Sequence, residues 1–257
     1  MSEKIVFFDL DGTLLDNEKS ILESTKIAIR QLRERNIVPA VATGRPPSRI
    51  QWVLEELKIE TYVTINGQYV VHEGKEVVKE TFSREFLDDI TSFAASNKDP
   101  LVYSSLDDLR SSVGDNYYVR DVFEPAKMIY PIVDSNYYHD NTIYKLMLFC
   151  ESPDEEAYKQ RYTDMYFPRW HKYALDVMPA GITKGTGIAK FLEVTGIKKE
   201  NTFAFGDDKN DMEMFAAVGT SVAMGNAVAE LKEISDLVTS SNSEDGIING
   251  LKQLNLI

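Results

Sequence analysis

The chain has 257 residues, 43% of them hydrophobic, with 28 Lys and Arg against 41 Asp and Glu. That length admits one large domain or a core with a smaller one, and the hydrophobic share is ample for a packed interior. A formal charge of −13 repels nucleic acid and anionic lipid, which argues against both as partners. Cys150 has no second cysteine to pair with, and no run of about eighteen uncharged apolar residues supplies a membrane span. The opening MSEKIVFF lacks the long apolar stretch of an export signal, so a soluble, cytoplasmic protein is expected.

The first element is Lys4 to Asp16, KIVFFDLDGTLLD. Ile5 to Phe8 is short, continuous and rich in β-branched and aromatic residues, the pattern of a strand buried on both faces. Asp9 and Asp11 stand at its exit and Gly12 marks a turn. At a strand's carboxyl end side chains project into a crevice where ligands bind. Two acids with apolar flanks repel each other and lose water, so the pair needs a cation or a shared proton. Taken alone, D-x-D-G is equally a solvated turn. A calcium loop would need further acids, and Asn17 and Glu18 do not fit that pattern.

Ser20 followed by Glu23 forms a capping-box pattern, and the apolar spacing predicts a helix over Ser20 to Arg35. Ile37 to Ala42 reads as a strand ending in Thr43-Gly44-Arg45, and Pro46 and Pro47 open a helix running through Leu57. Tyr62 to Ile65 is a third strand, stopped by Asn66-Gly67. Val70 and Val71, then Val77 and Val78, flank His72-Glu73-Gly74-Lys75 as a β-hairpin. The alternation of strands and helices predicts right-handed crossovers and a parallel sheet.

From about Thr81 aromatic residues crowd in, and the strand, loop, helix units stop until after Met178. Ser83 to Ser96 reads as a helix, Leu101 to Ser104 and Ile143 to Cys150 as strands, and Ser152 to Tyr162 as an acidic helix. Tyr117, Tyr118, Tyr137 and Tyr138 make the region too aromatic for a disordered linker, so a separate α+β module is expected. Cys150 reads there as a buried, inert thiol. The earlier pattern resumes with a helix over Thr183 to Gly196, capped by Thr183 and stopped by Gly196. Thr202 to Phe205 is a strand ending in Gly206-Asp207-Asp208-Lys209-Asn210-Asp211, followed by a helix from Met212 to Val218. Short strands near Ser221 to Ala223 and Leu237 to Thr239 follow, and Ser243 caps a last helix.

Four loops therefore fall at strand ends or at a helix start: Asp9 to Gly12, Thr43 to Arg45, Lys184, and Gly206 to Asp211. Each has a plain structural alternative: Thr43 as a helix cap, Lys184 as a surface lysine, Asp207 and Asp211 as acids at a helix start. Together they supply three acids for a hard cation, a hydroxyl and amides for an anion, and an ammonium. That combination is what phosphoryl transfer requires.

The set resembles the haloacid dehalogenase (HAD) superfamily, and within it the Cof-like phosphatases with a large α/β cap. Its signatures stand as DLDGTLLD at Asp9 to Asp16, ATGR at Ala42 to Arg45, PAGITKG at Pro179 to Gly185 and GDDKND at Gly206 to Asp211. Asn66-Gly67 and Asp245-Gly246 also stand where such proteins carry similar pairs. The resemblance implies an α/β fold, with a Rossmann-like parallel sheet core over 1–82 and 180–257 and an inserted α+β cap domain over 83–179. It implies Asp9 as the nucleophile that forms an aspartyl phosphate. Asp11 would be the general acid and base, a role needing a raised or mobile pKa. Mg²⁺ would be held by the Asp9 carboxylate, the Asp11 carbonyl and Asp207, with Asp211 orienting the site or touching the metal itself. Thr43, the amides near Leu10 and Gly44, and Lys184 would grip the phosphoryl oxygens, and Asn210 would position Lys184 or touch the phosphate.

The implied substrate is a small phosphorylated metabolite, a sugar phosphate or a phosphorylated cofactor, with Arg169, Trp170, His171 and Tyr173 as candidates to read the leaving group. An ordinary cap strand explains those four equally well. A sugar phosphomutase on the same scaffold and a catalytically idle binding protein are the alternatives. A dinucleotide-binding oxidoreductase fails because the first strand leads into D-x-D-G rather than G-x-G-x-x-G. Oligomeric state is not legible in the sequence.

Overall fold

The computed structural model describes residues 3–125 and 128–257. They form two compact units, one ending at Lys79 and resuming at Ile182, the other covering Glu80–Gly181. The sequence places the junctions at 82/83 and 179/180.

The first unit opens with β1 (Lys4–Phe8), α1 (Glu23–Glu34), β2 (Ile37–Ala42), α2 (Gln51–Leu57), β3 (Thr61–Thr64), β4 (Tyr69–His72) and β5 (Lys75–Lys79). Ser20 does not cap α1 as expected. The Asp16 carboxylate instead accepts the N–H groups of Glu18 and Ser20, both at 2.9 Å, which draws residues 16–20 into a closed turn. The helix starts only at Glu23, with no side-chain cap, and ends at Glu34. The Pro46-Pro47 helix is also interrupted: a single 3₁₀ turn over Pro47–Arg49 precedes α2, and Ile50 between them has φ −120° and ψ 0°. The hairpin turn is as expected, with Glu73 and Gly74 at φ 48° and 75°, the positive values that a tight hairpin turn demands.

The second unit contains α3 (Arg84–Asn97), β6 (Leu101–Ser104), β7 (Leu109–Ser111), α4 (Tyr117–Phe123), β8 (Ile132–Val133), β9 (Lys145–Phe149), α5 (Glu155–Arg161), β10 (Met165–Tyr166), β11 (Arg169–His171) and β12 (Ala174–Pro179). Its sheet runs β10-β12-β9-β6-β7-β8, with β11 also on β12. Ile90, Tyr158 and Tyr162 pack against Leu146, Leu148, Leu175 and Val177 on one face, and α4 covers Val102, Met147 and Phe149 on the other. Buried tyrosines are tolerated because their hydroxyls find acids: Tyr158 donates to Asp99 and Tyr162 to Asp89, each at 2.7 Å. Cys150 is buried among these apolar neighbours, and burial pushes its thiol up to about 12, which leaves it inert.

The chain returns to the first unit through α6 (Lys184–Thr195), β13 (Thr202–Gly206), α7 (Met212–Ala217), β14 (Thr220–Ala223), α8 (Ala229–Ile234), β15 (Leu237–Val238) and α9 (Gly246–Gln253). Thr183 caps α6 through a capping box with Thr186, and Gly196 ends it at φ 72°, both as expected. Ser243 does not cap α9. The helix begins at Gly246 behind a left-handed Asp245, and the Ser243 hydroxyl donates to Asn242.

This sheet has the order β15-β14-β13-β1-β2-β3-β4-β5, parallel as far as β3 and antiparallel in the hairpin that follows. Val6 and Phe8 pack with α1, α2 and α9, whereas Ile5 and Phe7 pack with α6 and α7. Hence β1 is apolar on both faces, and the chain turns away from it toward β2 on one side and β13 on the other. A reversal of strand order of this kind opens a crevice at the carboxyl end of the central strand. Asp9 is the first residue beyond that end.

Candidate active site

Asp9 stays in register with the sheet for one residue past β1, its N–H donating to the Phe205 carbonyl at 2.9 Å. The chain then closes on itself, with the Leu14 and Leu15 amides donating to the carbonyls of Asp9 and Leu10. Gly12 lies within this turn at φ 86°, and a Cβ there would stand 2.2 Å from Oδ2 of Asp207. Only glycine lets the two acidic loops approach this closely. The next residue ties them together: Thr13 Oγ1 donates to Asp207 Oδ1 at 2.8 Å.

Lys184 begins α6, yet its side chain is 1% exposed and runs inward to the acids. Its ammonium donates to Asp9 Oδ1 at 2.5 Å and to Asp211 Oδ1 at 2.7 Å. The other oxygen of Asp211 accepts the N–H groups of Asp207 and Asp208 at 2.9 and 3.2 Å. Asp211 thus ties the loop after β13 to the lysine, with both oxygens committed to the protein.

The loop after β2 supplies the opposite wall. Thr43 N–H donates to the Val63 carbonyl at 2.8 Å, and its hydroxyl oxygen accepts the Arg45 N–H at 3.2 Å. A Cβ on Gly44 would meet Asn66 Oδ1 at 2.9 Å, so this loop too is packed tightly on its neighbour. Asp9, Asp11, Thr43, Gly44, Arg45, Asp208 and Asn210 enclose a hollow of about 190 Å³. Its volume is below that of a typical pocket for a whole drug-sized ligand and suits a phosphoryl group with the atoms next to it.

Burial dominates the electrostatics. It pushes the Asp9 carboxyl up to about 7 despite the Lys184 ammonium, and the Asp207 carboxyl up to about 6 despite the hydrogen bond from Thr13. Burial alone would lower Lys184, but Asp9 and Asp211 outweigh it and hold the ammonium above its usual value. Asp11 behaves differently: burial raises it, but hydrogen bonds and charge from Lys19 and Arg45 prevail and hold it below the usual carboxylate range.

A family profile described as haloacid dehalogenase-like hydrolase matches residues 6–251. The chain belongs to that family. YkrA of Bacillus subtilis (strain 168), provisionally named a phosphatase, is 38% identical over 257 residues and 100% of both chains. The crystal structure of a hypothetical protein from Geobacillus kaustophilus HTA426 is 44% identical, with a TM-score of 0.95 over 99% of this chain and 100% of that one. BT4131, described as a HAD subclass IIB sugar phosphatase, is 27% identical with a TM-score of 0.79 over 99% and 100% of the two chains. The protein is therefore a HAD enzyme of the Cof-like phosphatase branch, with a Rossmann-like core and an inserted cap.

The HAD core brings together most of the residues singled out in the sequence. Asp9, Asp11, Thr43, Gly44 and Asn210 line the hollow, and Lys184, Asp207 and Asp211 gather at the Asp9 carboxylate. Leu10 turns its side chain into the apolar core, so only its backbone can serve the site. Of the two roles expected for Asn210, its place lining the hollow suits contact with a phosphate, while Asp9 and Asp211 are the residues that hold the Lys184 ammonium. The acid-base role expected for Asp11 needs a raised or mobile pKa; the ligand-free site holds it low, since Lys19 and Arg45 outweigh burial. Lys19 and Arg45 are thus contacts that motif reading missed: Arg45 sits within ATGR and was legible as a motif residue, while Lys19 carried no signal.

In the inserted unit, Arg169 binds Glu155 Oε2 at 2.5 Å and the Lys172 carbonyl at 2.7 Å, which consumes its guanidinium internally. Tyr173 is buried and stacked on Tyr118 at 4.5 Å, and His171 Nδ1 accepts the Tyr173 N–H at 3.3 Å. Trp170 is half-exposed, with its indole N–H donating to Asp176 at 2.9 Å. Among the described residues of that unit and the core, no helix is long and apolar enough to cross a membrane.

The donor set fits a hard divalent cation. Asp9, Asp207 and Asp211 each offer an oxygen within 4.8 Å of the others, and three carboxylates around one ammonium leave an excess of negative charge. Glu3, His72 and Glu73 form a second, more exposed group of this size. The raised carboxyls give the charge excess a measurable sign. Between the ordinary value of 3.8 and about 6 to 7, folded protein retains protons that the unfolded chain has released. That contribution to stability is full below the ordinary carboxyl range and is lost as pH rises through about 6 and about 7. The metal-free protein should therefore show a Tm contribution from this site that declines from pH 5 to 8, and a divalent cation taken up by these three acids, tested with Mg²⁺, should raise Tm more at pH 8 than at pH 5. Thermal scans of wild type and Asp207→Asn, with and without EDTA, measure it; an equal Mg²⁺ shift at both pH values would contradict it.

Proposed function

We propose that the protein is a cytoplasmic, Mg²⁺-dependent phosphatase that hydrolyses small phosphomonoesters, sugar phosphates or phosphorylated cofactors, through an aspartyl phosphate on Asp9. The observation that carries this reading is the Asp9 carboxylate at the strand end, held 2.5 Å from the buried Lys184 ammonium beside Asp207. The Asp9 carboxylate, the Asp11 carbonyl and Asp207 would hold Mg²⁺, which when bound neutralises charge on the transferring phosphoryl group.

The chain's own groups account for the remaining steps. Lys184 fixes the orientation of Asp9, and with two of its three N–H donors taken by acids, a third remains for a phosphoryl oxygen. The Thr43 hydroxyl oxygen already accepts from Arg45 N–H, so its proton is free to point into the hollow. Asp9 attacks phosphorus and the bond to the leaving oxygen breaks, with Asp11, which must first take up a proton against the pull of Lys19 and Arg45, supplying that oxygen's proton. Asp11 then takes a proton from water as the water attacks the aspartyl phosphate, and inorganic phosphate and free Asp9 result. The small hollow supports a phosphoryl group with a compact ester, and a charge of −13 speaks against nucleic-acid substrates.

A screen of phosphorylated metabolites together with p-nitrophenyl phosphate tests the reading. Phosphate should appear with Mg²⁺ present and cease with EDTA. Silence across the whole panel, or conversion of a hexose 1-phosphate to its 6-phosphate without phosphate release, would count decisively against it.

A further inference from the structure

Three consecutive residues after β3 lie in left-handed backbone: Ile65 at φ 51°, Asn66 at 52° and Gly67 at 98°. Asparagine and glycine adopt that region readily. Ile65 does not, and among the described residues it is the one β-branched side chain at positive φ. Such strain persists only where the surroundings over-determine it, and it concentrates at functional sites.

The surroundings of the turn are two elements of the candidate site. On one side it is bonded to the loop after β2. The Ile65 N–H donates to the Arg45 carbonyl at 3.2 Å and the Asn66 N–H to the Thr43 carbonyl at 3.1 Å. The Asn66 side chain lies against Gly44, where a Cβ would stand 2.9 Å from its Oδ1. On the other side the turn meets the first turn of α6. A Cβ on Gly67 would be 2.3 Å from the Thr183 carbonyl oxygen, and one on Gly187 would be 2.4 Å from the Gly67 Cα. Glycine is a poor residue inside a helix, and this contact of backbone on backbone accounts for Gly187 so soon after Lys184. None of the three turn residues lines the hollow itself.

We propose that Ile65–Gly67 is the spacer that fixes the Thr43 hydroxyl and the Lys184 ammonium at the separation a phosphoryl group requires, with Asn66 and Gly67 as positioning residues. The proposal rests on the phosphatase reading above and concerns the end of the substrate that all phosphomonoesters share. A backbone contact has no rotamers through which to relax, so it sets a distance more rigidly than two side chains would.

The test adds a methyl to that contact. Gly187→Ala supplies a better helix former, so α6 persists while the turn and the helix are pushed apart. Misplacing a positioned group by about 1 Å can cost about 10²-fold. With Mg²⁺ present, kcat/KM of Gly187→Ala should fall by about ten- to a hundredfold, and by the same factor for glycerol phosphate and p-nitrophenyl phosphate. The Ki of orthovanadate, a tetrahedral stand-in for the phosphoryl group, should rise by about tenfold. Asn66→Gly keeps the left-handed backbone and removes only the side chain against Gly44, so its vanadate Ki should rise by about threefold. Thr43→Val removes one of the two grips, and in that background Gly187→Ala should cost no more than about threefold. Thermal scans give the folded fraction of each variant at the assay temperature. A loss that follows that fraction, with the vanadate Ki and the rate per folded molecule unchanged, would overturn the proposal and leave the turn a packing feature. Unequal losses on the two esters, or a full loss in the Thr43→Val background, would overturn it too. If Gly187→Ala fails to fold, Asn66→Gly decides, and an unchanged vanadate Ki there would overturn the spacer. Inactivity of wild type toward both esters would instead overturn the phosphatase reading, and the spacer with it.

Discussion

Asp9→Asn should fold as wild type does and release no measurable phosphate. The two side chains have nearly the same shape, and the amide oxygen of asparagine can still accept from Lys184, so the packing around the 2.5 Å contact survives. The change removes one negative charge from a cluster that carries an excess of them, which relieves repulsion with Asp207 and Asp211. Stability should therefore be unchanged or slightly raised. Activity depends on a different property. An amide oxygen does not form the acyl phosphate, and loss of the nucleophile in a covalent mechanism costs on the order of 10⁶ in rate. Phosphate release followed with the best ester from the screen, alongside a thermal scan, reads both properties. Residual turnover within about a hundredfold of wild type would show that Asp9 is not the nucleophile and that water is activated directly.

Lys184→Met should be the most destabilising single change in the core. The side chain is 1% exposed and carries the ammonium that pairs with both Asp9 and Asp211, themselves nearly or fully buried. Methionine fills a similar volume but leaves two buried carboxylates without their cation. Removing one partner from such an arrangement costs about 3–5 kcal/mol, which corresponds to a Tm lowered by roughly 10 °C in a chain of this size. On the proposed binding of Mg²⁺ to the same acids, added Mg²⁺ should recover part of the loss, because it would supply positive charge there. Activity should fall as well, since the ammonium that holds Asp9, and is proposed to reach the phosphoryl oxygens, is gone. A Tm within about 2 °C of wild type would mean that the acids are neutral in the folded state and that the lysine is dispensable for structure.

These expectations draw on features with different standing in the sequence. The paired acids after Ile5–Phe8, the stop at Gly196, the cap at Thr183 and the acidic loop after β13 were all legible, because each follows from residues adjacent in the chain. Apolar runs, cap residues and glycines act over one or two turns of backbone. The same local reading went astray at Ser20 and at Ser243. Ser20 matched a capping pattern, but Asp16, four residues earlier, bound its N–H first and pulled it into the loop. Strands β7, β8 and β10 of the inserted unit were missed because two or three residues carry too little periodicity to register.

The sequence by itself determined the chemical inventory: two acids at a buried strand end, a hydroxyl loop, a lysine and a third acid, arranged in the order that resembles the HAD superfamily. Only the tertiary structure decided how these groups are committed. The order of strands around β1 brings Lys184 to Asp9 across 175 positions of sequence and lets Asp211 hold it as well. It also places Arg45, 34 positions away, against Asp11, whose carboxylate Lys19 contacts as well. Burial and neighbouring charge are properties of that assembly and are absent from any local stretch. For that reason D-x-D could be read from the chain as two acids in need of a cation, whereas the opposite displacement of their two pKa values, Asp9 upward and Asp11 downward, could not.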